Sequence, residues 1–424
     1  MGSRRHHRPL GGQSETCRDA QRKNMNILYV NTIVIDPIKG GLERNTVAQA
    51  NYFEKVMGYK TWFLGAQDET MQADARRQHY LPLADVRNIR APENVEFFKN
   101  FLKEHHIDVV INQVGTCKNV SGLAYHARSV GVKLISVFRR SIQSHVEHAR
   151  YFKYEALKKR HLGFMAPLLS LGIAKKILLS RYRRDHKKHY KNLCANSDRL
   201  ILLSERYKPH FAECIEEACP PNVIAIPNPY PFAETGAVDL SSKEKEILFV
   251  GRFNFPYKRV DLVVRIWAKL FRDFPDWKLR MVGNGPEFDN MVNLAKKLKV
   301  ERLIFEGFKP AEEFYRKASL SMLTSTSEGF PMALVEALGA GCVPFAFHSF
   351  ATAFDIIDDG KNGVLVKPFD CGLYAKKLAH LMRDDALRRQ MAANAMEKAK
   401  EFAAEKVYGK WIAVIESLCP RAKT

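Results

Sequence analysis

The sequence predicts an α/β protein of two tandem domains, each a doubly wound parallel sheet. Three observations carry that reading. Apolar runs of four to six residues alternate with stretches of helical period, as successive βα units do. Pro227, Pro229 and Pro231 interrupt this pattern, which then restarts. The chain has 424 residues, 46% of them hydrophobic, which suits two cores of about 200 residues each better than one.

Taken in order, Ile27–Val30 reads as a buried strand. A loop leads to Gly40 and Gly41, and helical period follows over Leu42–Val56. Thr61–Leu64, Asp108–Ile111, Lys133–Val137, Arg199–Leu203 and Val223–Ile226 supply the remaining strands of a first domain over 25–226. A linker is expected over 227–246. The second domain, 247–403, has strands at Ile247–Val250, Lys278–Val282, Leu303–Phe305, Leu320–Leu323, Val343–Phe347 and Val364–Val366. A helical stretch at about Glu405–Leu418, within 404–424, can pack back on the first domain. Residues 1–24 lack the apolar run of a signal peptide and read as a disordered basic extension, with Met25 opening the folded part.

The formal charge is +21, and most of it is local. Residues 150–191 hold 13 Lys and Arg against 2 acids, and residues 1–24 hold 6 against 2. Segment 150–191 also contains apolar stretches, Phe164–Leu171 and Ile177–Leu179, a mix that suits an amphipathic helix at an anionic membrane surface. A helical hairpin with a solvated basic face fits the same composition. Aromatic residues do not interleave with the basic cluster, so nucleic acid is not the expected partner. Phe164–Ala174 ends at Lys175 and Lys176, short of the ~20 residues that span a bilayer. The eight cysteines include no Cys-x-x-Cys pair, so neither a zinc site nor a disulfide framework is expected.

The strongest chemical signal is Ser327-Glu328-Gly329-Phe330-Pro331-Met332, continuing to Glu336. It follows a predicted strand, Pro331 is placed to open a helix and Gly341 to end it. A helix start after a strand end offers free amides and a partial positive charge, which is a phosphate site. Gly329 lets the backbone approach a ligand closely. Glu328 and Glu336 are then placed to reach a sugar and a ribose. Gly251-Arg252-Phe253, six residues before Lys258-Arg259, ends the first strand of the second domain, where open α/β sheets bind ligands. Arg252 and Lys258 can there neutralise a departing diphosphate. Gly283-Asn284-Gly285-Pro286 is a third strand-to-helix turn, and Gly40-Gly41-Leu42-Glu43-Arg44 a glycine pair at a helix start. The Gly-x-Gly-x-x-Gly spacing is missing at Gly40-Gly41, which counts against a dinucleotide-dependent oxidoreductase.

Together these four signals resemble the retaining glycosyltransferases of family 4, which have the GT-B fold of two Rossmann-like domains facing across a cleft. The resemblance runs over nearly all of 25–420 and is sharpest from 247 to 367, including Asp359-Gly360-x-Asn362-Gly363-Val364-Leu365-Val366. Leu203-Ser204-Glu205-Arg206-Tyr207 and Ile226-Pro227-Asn228-Pro229 are also similar to family members. The resemblance implies that Glu328 touches the donor sugar, Glu336 the ribose, Arg252 and Lys258 the diphosphate, and Gly307-Phe308-Lys309 the nucleobase. The first domain would bind the acceptor. One departure stands out: many relatives carry a His after the strand that here reads Leu134–Phe138, whereas this chain has Arg139-Arg140, with His145 as a substitute.

What the resemblance implies is transfer of a sugar from a nucleoside-diphosphate sugar, UDP favoured, with retention and by front-face attack without a side-chain nucleophile. The acceptor would be a saccharide or a lipid-linked one, on the cytoplasmic face of a bacterial plasma membrane, in surface polysaccharide synthesis. No Asp-x-Asp occurs, so neither a metal nor a cofactor is expected. A sugar-nucleotide epimerase of the same fold and a basic membrane- or nucleic-acid-binding protein are the competing readings.

Overall fold

The structure, a computed structural model, describes residues 25–33, 35, 40–66, 78–83, 88–142, 172–231 and 238–420. The N-terminal part runs β1 (Asn26–Ile33), α1 (Gly41–Met57), β2 (Lys60–Ala66), β3 (Gln78–Tyr80), α2 (Pro92–Glu104), β4 (Val109–Asn112), α3 (Lys118–Ala124), β5 (Lys133–Phe138), α4 (Gly172–Asn196), β6 (Arg199–Leu202), α5 (Tyr207–Ile215) and β7 (Val223–Ala225). Its sheet is parallel throughout, in the order β3-β2-β1-β4-β5-β6-β7. Successive residues of β1 serve opposite faces, as the pleat dictates. Ile27 and Tyr29 pack with Phe53 of α1, while Leu28 and Val30 pack with Phe98 and Leu102 of α2 and with Leu123 of α3. A strand covered on both faces must be apolar throughout, which is why β1 reads as a continuous run.

The second part runs β8 (Glu244–Val250), α6 (Val260–Trp267), β9 (Lys278–Val282), α7 (Phe288–Lys297), β10 (Leu303–Gly307), α8 (Glu312–Lys317), β11 (Ala318–Leu323), α9 (Met332–Gly339), β12 (Val343–Phe347), α10 (Ala353–Ile356), β13 (Val364–Val366), α11 (Cys371–Arg383), α12 (Asp385–Ala399) and α13 (Ala404–Leu418). Its parallel sheet has the order β10-β9-β8-β11-β12-β13, so the direction of winding reverses between β8 and β11. The crevice at such a switch point, outside the carboxyl ends of the strands, is where α/β sheets hold ligands.

Two differences from the sequence expectation have physical causes. β8 starts at Glu244, inside the expected linker, because its polar residues are paired in the sheet. Buried Glu246 takes both oxygens to Arg280 Nε at 3.0 Å and pairs with Lys278 at 3.1 Å, so a strand continues where the apolar run has not begun. β3 went unpredicted because it is an edge strand of three residues without an apolar run.

α13 carries Val407, Tyr408, Trp411 and Ile415 into the same cluster as Ile27, Tyr29 and Phe53. The chain therefore crosses twice between the two sheets. At the first crossing the Tyr230 amide donates to the Phe402 carbonyl at 2.6 Å.

Candidate active site

The loops after β8 and β11 are tied together before any ligand is considered. Thr324 Oγ1 donates to the carbonyl oxygens of Lys258 and Arg259 (2.9 and 3.0 Å), and the Thr326 amide donates to Tyr257 O (2.8 Å). These bonds fix the turn that precedes α6. From it Lys258 reaches across to Glu328, Nζ to Oε1 at 2.6 Å, and Ser325 Oγ donates to the same oxygen at 2.5 Å. The two side chains are 22% and 14% exposed, so the pair sits in a partly dry crevice yet remains open to a ligand. Arg259 turns away and pairs with Asp261 at 2.9 Å. Arg252 is exposed and makes no ion pair among the described residues. The Lys258 stem passes Gly251, where an added Cβ would meet its Cε at 3.8 Å.

Pro331 is the N-cap of α9, with Met332 the first helical residue. First-turn amides have no acceptor within a helix, so this start carries positive potential toward the crevice. Phe330 lies buried against Phe402, with ring centroids 5.6 Å apart, so its ring belongs to the core and only its backbone borders the crevice. Leu334, Val335, Ala337 and Leu338 are all buried, which makes α9 an interior helix and carries Glu336 inside with them. Glu336 is 2% exposed and meets Arg44 of α1, Nη2 to Oε1 at 2.8 Å. Burial raises its carboxyl above the ordinary carboxylate range, while Arg44, the Tyr315 hydroxyl and Lys258 pull it back down.

The N-terminal part reaches the same loop from the other side. The Tyr207 hydroxyl donates to the carbonyl oxygens of Glu328 and Gly329 at 2.7 and 2.9 Å. Gly329 lies so close to Arg139 that a Cβ there would stand 2.0 Å from the Arg139 carbonyl oxygen. Gly41, next to Gly40 at the start of α1, faces Met332 at the start of α9, a Cβ on it falling 3.9 Å from Met332 Cγ. The glycine pair and the Glu-Gly-x-Pro string are thus brought together from opposite sheets.

Arg139, which follows β5 where the family resemblance leads one to expect a His, points inward. Its guanidinium donates to Gln113 Oε1 (2.7 and 2.5 Å) and to Asn228 Oδ1 (2.9 Å). Desolvation pushes it down to about 10, because neutral amides replace the carboxylate that usually partners a buried arginine. His145 lies outside the described residues.

On the β9–β10 side, Gly283 and Gly285 serve the backbone itself. A Cβ at Gly283 would lie 1.9 Å from Gly251 O and one at Gly285 2.4 Å from Phe253 O, and φ is +141° and +157°. They let the turn lie flat against the β8 loop, and neither offers a side chain to a donor. Gly307 has φ +70°, Phe308 is 63% exposed, and Lys309 pairs with Glu306 at 2.6 Å. That exposed ring beside a crevice is free to stack on a base.

Sequence reasoning gave no role to Arg44, Tyr207, Ser325 or Arg206, although each stands in or beside a motif it quoted. The partners of Arg44, Tyr207 and Arg206 lie up to 292 residues away along the chain, and no local spacing encodes such contacts, whereas Ser325 bonds Glu328 three residues on. Of the basic segment, residues 150–171 lie outside the described residues. Near the end of α4, Lys187 and Lys191 pair with Glu216 and Glu217. Among the described residues no cluster of three or more His, Cys, Asp or Glu could hold a metal ion, and no helix is long and apolar enough to cross a membrane.

Comparison with known proteins bears on this geometry. Residues 234–398 match the family model described as glycosyl transferases group 1. An exopolysaccharide phosphotransferase of Streptomyces coelicolor is 33% identical over 53% of this chain and 24% of its own length. The amylovoran biosynthesis glycosyltransferase AmsD of Erwinia amylovora is 25% identical over 51% of this chain and 61% of its own. The chain thus spans less than two thirds of the length of these curated relatives. The pneumococcal O-GlcNAc transferase GtfA, solved with UDP and GlcNAc, superposes with a TM-score of 0.70 at 14% identity, over 94% of this chain and 100% of that one. The fold is GT-B.

Proposed function

We propose that this chain is a glycosyltransferase that takes a sugar from a nucleoside diphosphate, UDP favoured, and moves it to a saccharide or lipid-linked acceptor in bacterial surface polysaccharide synthesis. The observation that carries the reading is the Lys258–Glu328 pair at the sheet's switch point, flanked by exposed Arg252 and the start of α9. Without ligand, each member of the pair neutralises the other. A diphosphate arriving at Arg252 and α9 draws Lys258 to itself and frees the Glu328 carboxylate to accept hydrogen bonds from hydroxyls of the donor sugar. Binding and preparation of the reacting sugar are then one event.

The step follows from charge. The bond between the anomeric carbon and the β-phosphate oxygen breaks, and its electron pair goes to the diphosphate. Arg252, Lys258 and the α9 amides are fixed where that charge grows, which is the arrangement that lowers a barrier most. The acceptor oxygen attacks from the face the diphosphate leaves, its proton passes to a phosphate oxygen, and configuration is retained. The Glu336 carboxylate, once Arg44 releases it, holds the ribose, and Phe308 stacks on the base. The cations and amides do what a metal would, in keeping with the lack of an Asp-x-Asp motif. The basic segment 150–191 carries the enzyme to an anionic membrane surface, on its cytoplasmic side.

Calorimetric titration with UDP and GDP, paired with donor hydrolysis across their sugar conjugates, tests this. One nucleotide should bind, and Lys258→Ala should weaken it about tenfold or more. Absence of binding by either nucleotide would overturn the proposal. Epimerisation of the donor sugar in place of transfer would favour the epimerase reading instead.

A further inference from the structure

A cavity of about 660 Å³ opens beside β12 and β13, and the reaction above leaves it without a task. Its walls include Arg206 from the N-terminal part and His348, Phe354, Asp358, Asp359 and Lys367 from the second sheet. We propose that it is a subsite for a saccharide, binding the acceptor glycan beyond the sugar being transferred; this rests on the donor placement proposed above.

Position supports it first. All strands of the second sheet run parallel, so their carboxyl ends share one rim. Along the sheet order the rim carries Gly307 after β10, Gly283 after β9, Arg252 and Lys258 after β8, Glu328 after β11, His348 after β12 and Lys367 after β13. By the placement proposed above, the base, the diphosphate and the sugar follow one another along this rim. Whatever the sugar is joined to lies at the next two, where the cavity is. The neighbouring loops touch: Ser349 Oγ donates to Ser325 O at 2.7 Å, and Ser325 Oγ holds the Glu328 carboxylate.

The lining chemistry supports it second. Phe354 is 43% exposed, with the Arg206 guanidinium over its ring at 5.7 Å from the centroid and the His348 ring centroid also 5.7 Å away. Arg206 is held there by Asp355, Nε to Oδ1 at 2.9 Å. A half-exposed aromatic ring with carboxylates and cations around it matches a pyranose, which has an apolar C–H face and a rim of hydroxyls that both donate and accept. A lipid tail would bury these charges without partners. Asp359 pairs with Lys377 at 3.8 Å and Asp358 with Lys398 at 3.7 Å, so the rim presents both signs of charge. Lys367 has no ion pair among the described residues, so the cavity also accommodates an acidic sugar. A volume of this order lies in the ~300–1,000 Å³ range that ligand sites occupy.

The test uses the full chain on a printed array of defined bacterial oligosaccharides with UDP present, and calorimetry with UDP in parallel. The wild type should retain at least one oligosaccharide. Phe354→Ala and Lys367→Glu should each weaken that binding about tenfold while leaving UDP affinity within about twofold. Lys258→Ala should lose UDP and keep the glycan. No glycan bound by the wild type overturns the proposal, as does glycan binding that survives both cavity substitutions or is lost only with Lys258. If UDP fails to bind and the cavity variants still lose the glycan, the donor reading falls and the saccharide site stands.

Discussion

Arg44 and Glu336 belong to different sheets, and their ion pair gives a prediction whose sign can be worked from the structure. Arg44→Ala leaves a carboxylate that is 2% exposed without its 2.8 Å partner. Two charges about 4 Å apart at an effective dielectric of 20 attract by ~4 kcal/mol. Arg44 is 44% exposed, so solvent screens part of that. Lys258 and the Tyr315 hydroxyl still face the carboxylate from the β8 loop and from α8, and Tyr230 of the interdomain crossing adds no positive charge. A net loss of about 1–3 kcal/mol remains. For a cooperative unit of about 200 residues that is roughly 2–4 °C in Tm for each kcal/mol. Burial already raises the folded carboxyl above its unfolded value, and removal of Arg44 raises it further. A raised folded pKa favours the folded state fully only below the unfolded pKa, and that advantage disappears as pH rises through the folded pKa. The deficit of Arg44→Ala should therefore be widest at pH 7–8 and close as pH falls toward the ordinary carboxylate range. Thermal unfolding of wild type, Arg44→Ala, Glu336→Gln and the double variant, stepped from pH 8 to pH 5, reads it directly. In the Glu336→Gln background the arginine should matter little. An equal deficit at pH 5 and pH 8, or an undiminished one in that background, would refute the reasoning.

Three further outcomes follow from single contacts. Lys258→Met should lower kcat/KM for donor hydrolysis by about 10²–10³ while Tm stays near wild type, since an electrostatic partner of the leaving group is lost and the fold is not; wild-type turnover would contradict the site. Tyr207→Phe removes the donor to the carbonyls of Glu328 and Gly329, so kcat should fall about tenfold with donor KM little changed. Gly283→Ala drives a methyl to 1.9 Å from Gly251 O and should cost several kcal/mol, about 3 or more, whereas Gly360→Ala, with φ +77° and open space around it, should cost only about 1; equal Tm values for the two would refute this account of the turn.

How much of this was legible in the sequence depended on whether the physics was local. β12 and β13 match their expected bounds because buried parallel strands are continuous apolar runs, and β9 matches on Leu279, Met281 and Val282 although Lys278 and Arg280 interrupt it. The start of β8 was not legible because Glu246 is polar in sequence and satisfied only by Arg280 and Lys278 on the neighbouring strand. The Glu-Gly-x-Pro string could be read as a strand-to-helix phosphate turn from residue types alone. That Glu328 would be paired with Lys258 could not, because 70 residues separate them and only the order of β8 and β11 brings them together. Likewise Gly283 and Gly285 were legible as a turn, but their reason, the close approach to Gly251 and Phe253, belongs to the packing of two strand ends.

Several of the contacts that join the two sheets fall on the residues proposed to handle the donor. Tyr207 grips the carbonyl oxygens of Glu328 and Gly329, Arg139 presses its own carbonyl against Gly329, and Arg44 takes the Glu336 carboxylate. A rotation of one sheet relative to the other cannot leave the donor loop unchanged, because Gly329 has no side chain to cushion Arg139 and Tyr207 holds its backbone directly. Opening the cleft would therefore free Glu328 from Tyr207 and expose Glu336 at once, and closing it would restore both. In this arrangement closure and assembly of the Glu328 loop are one movement, so a donor that engages Glu328 stabilises the closed form by the difference in its contacts with the two states.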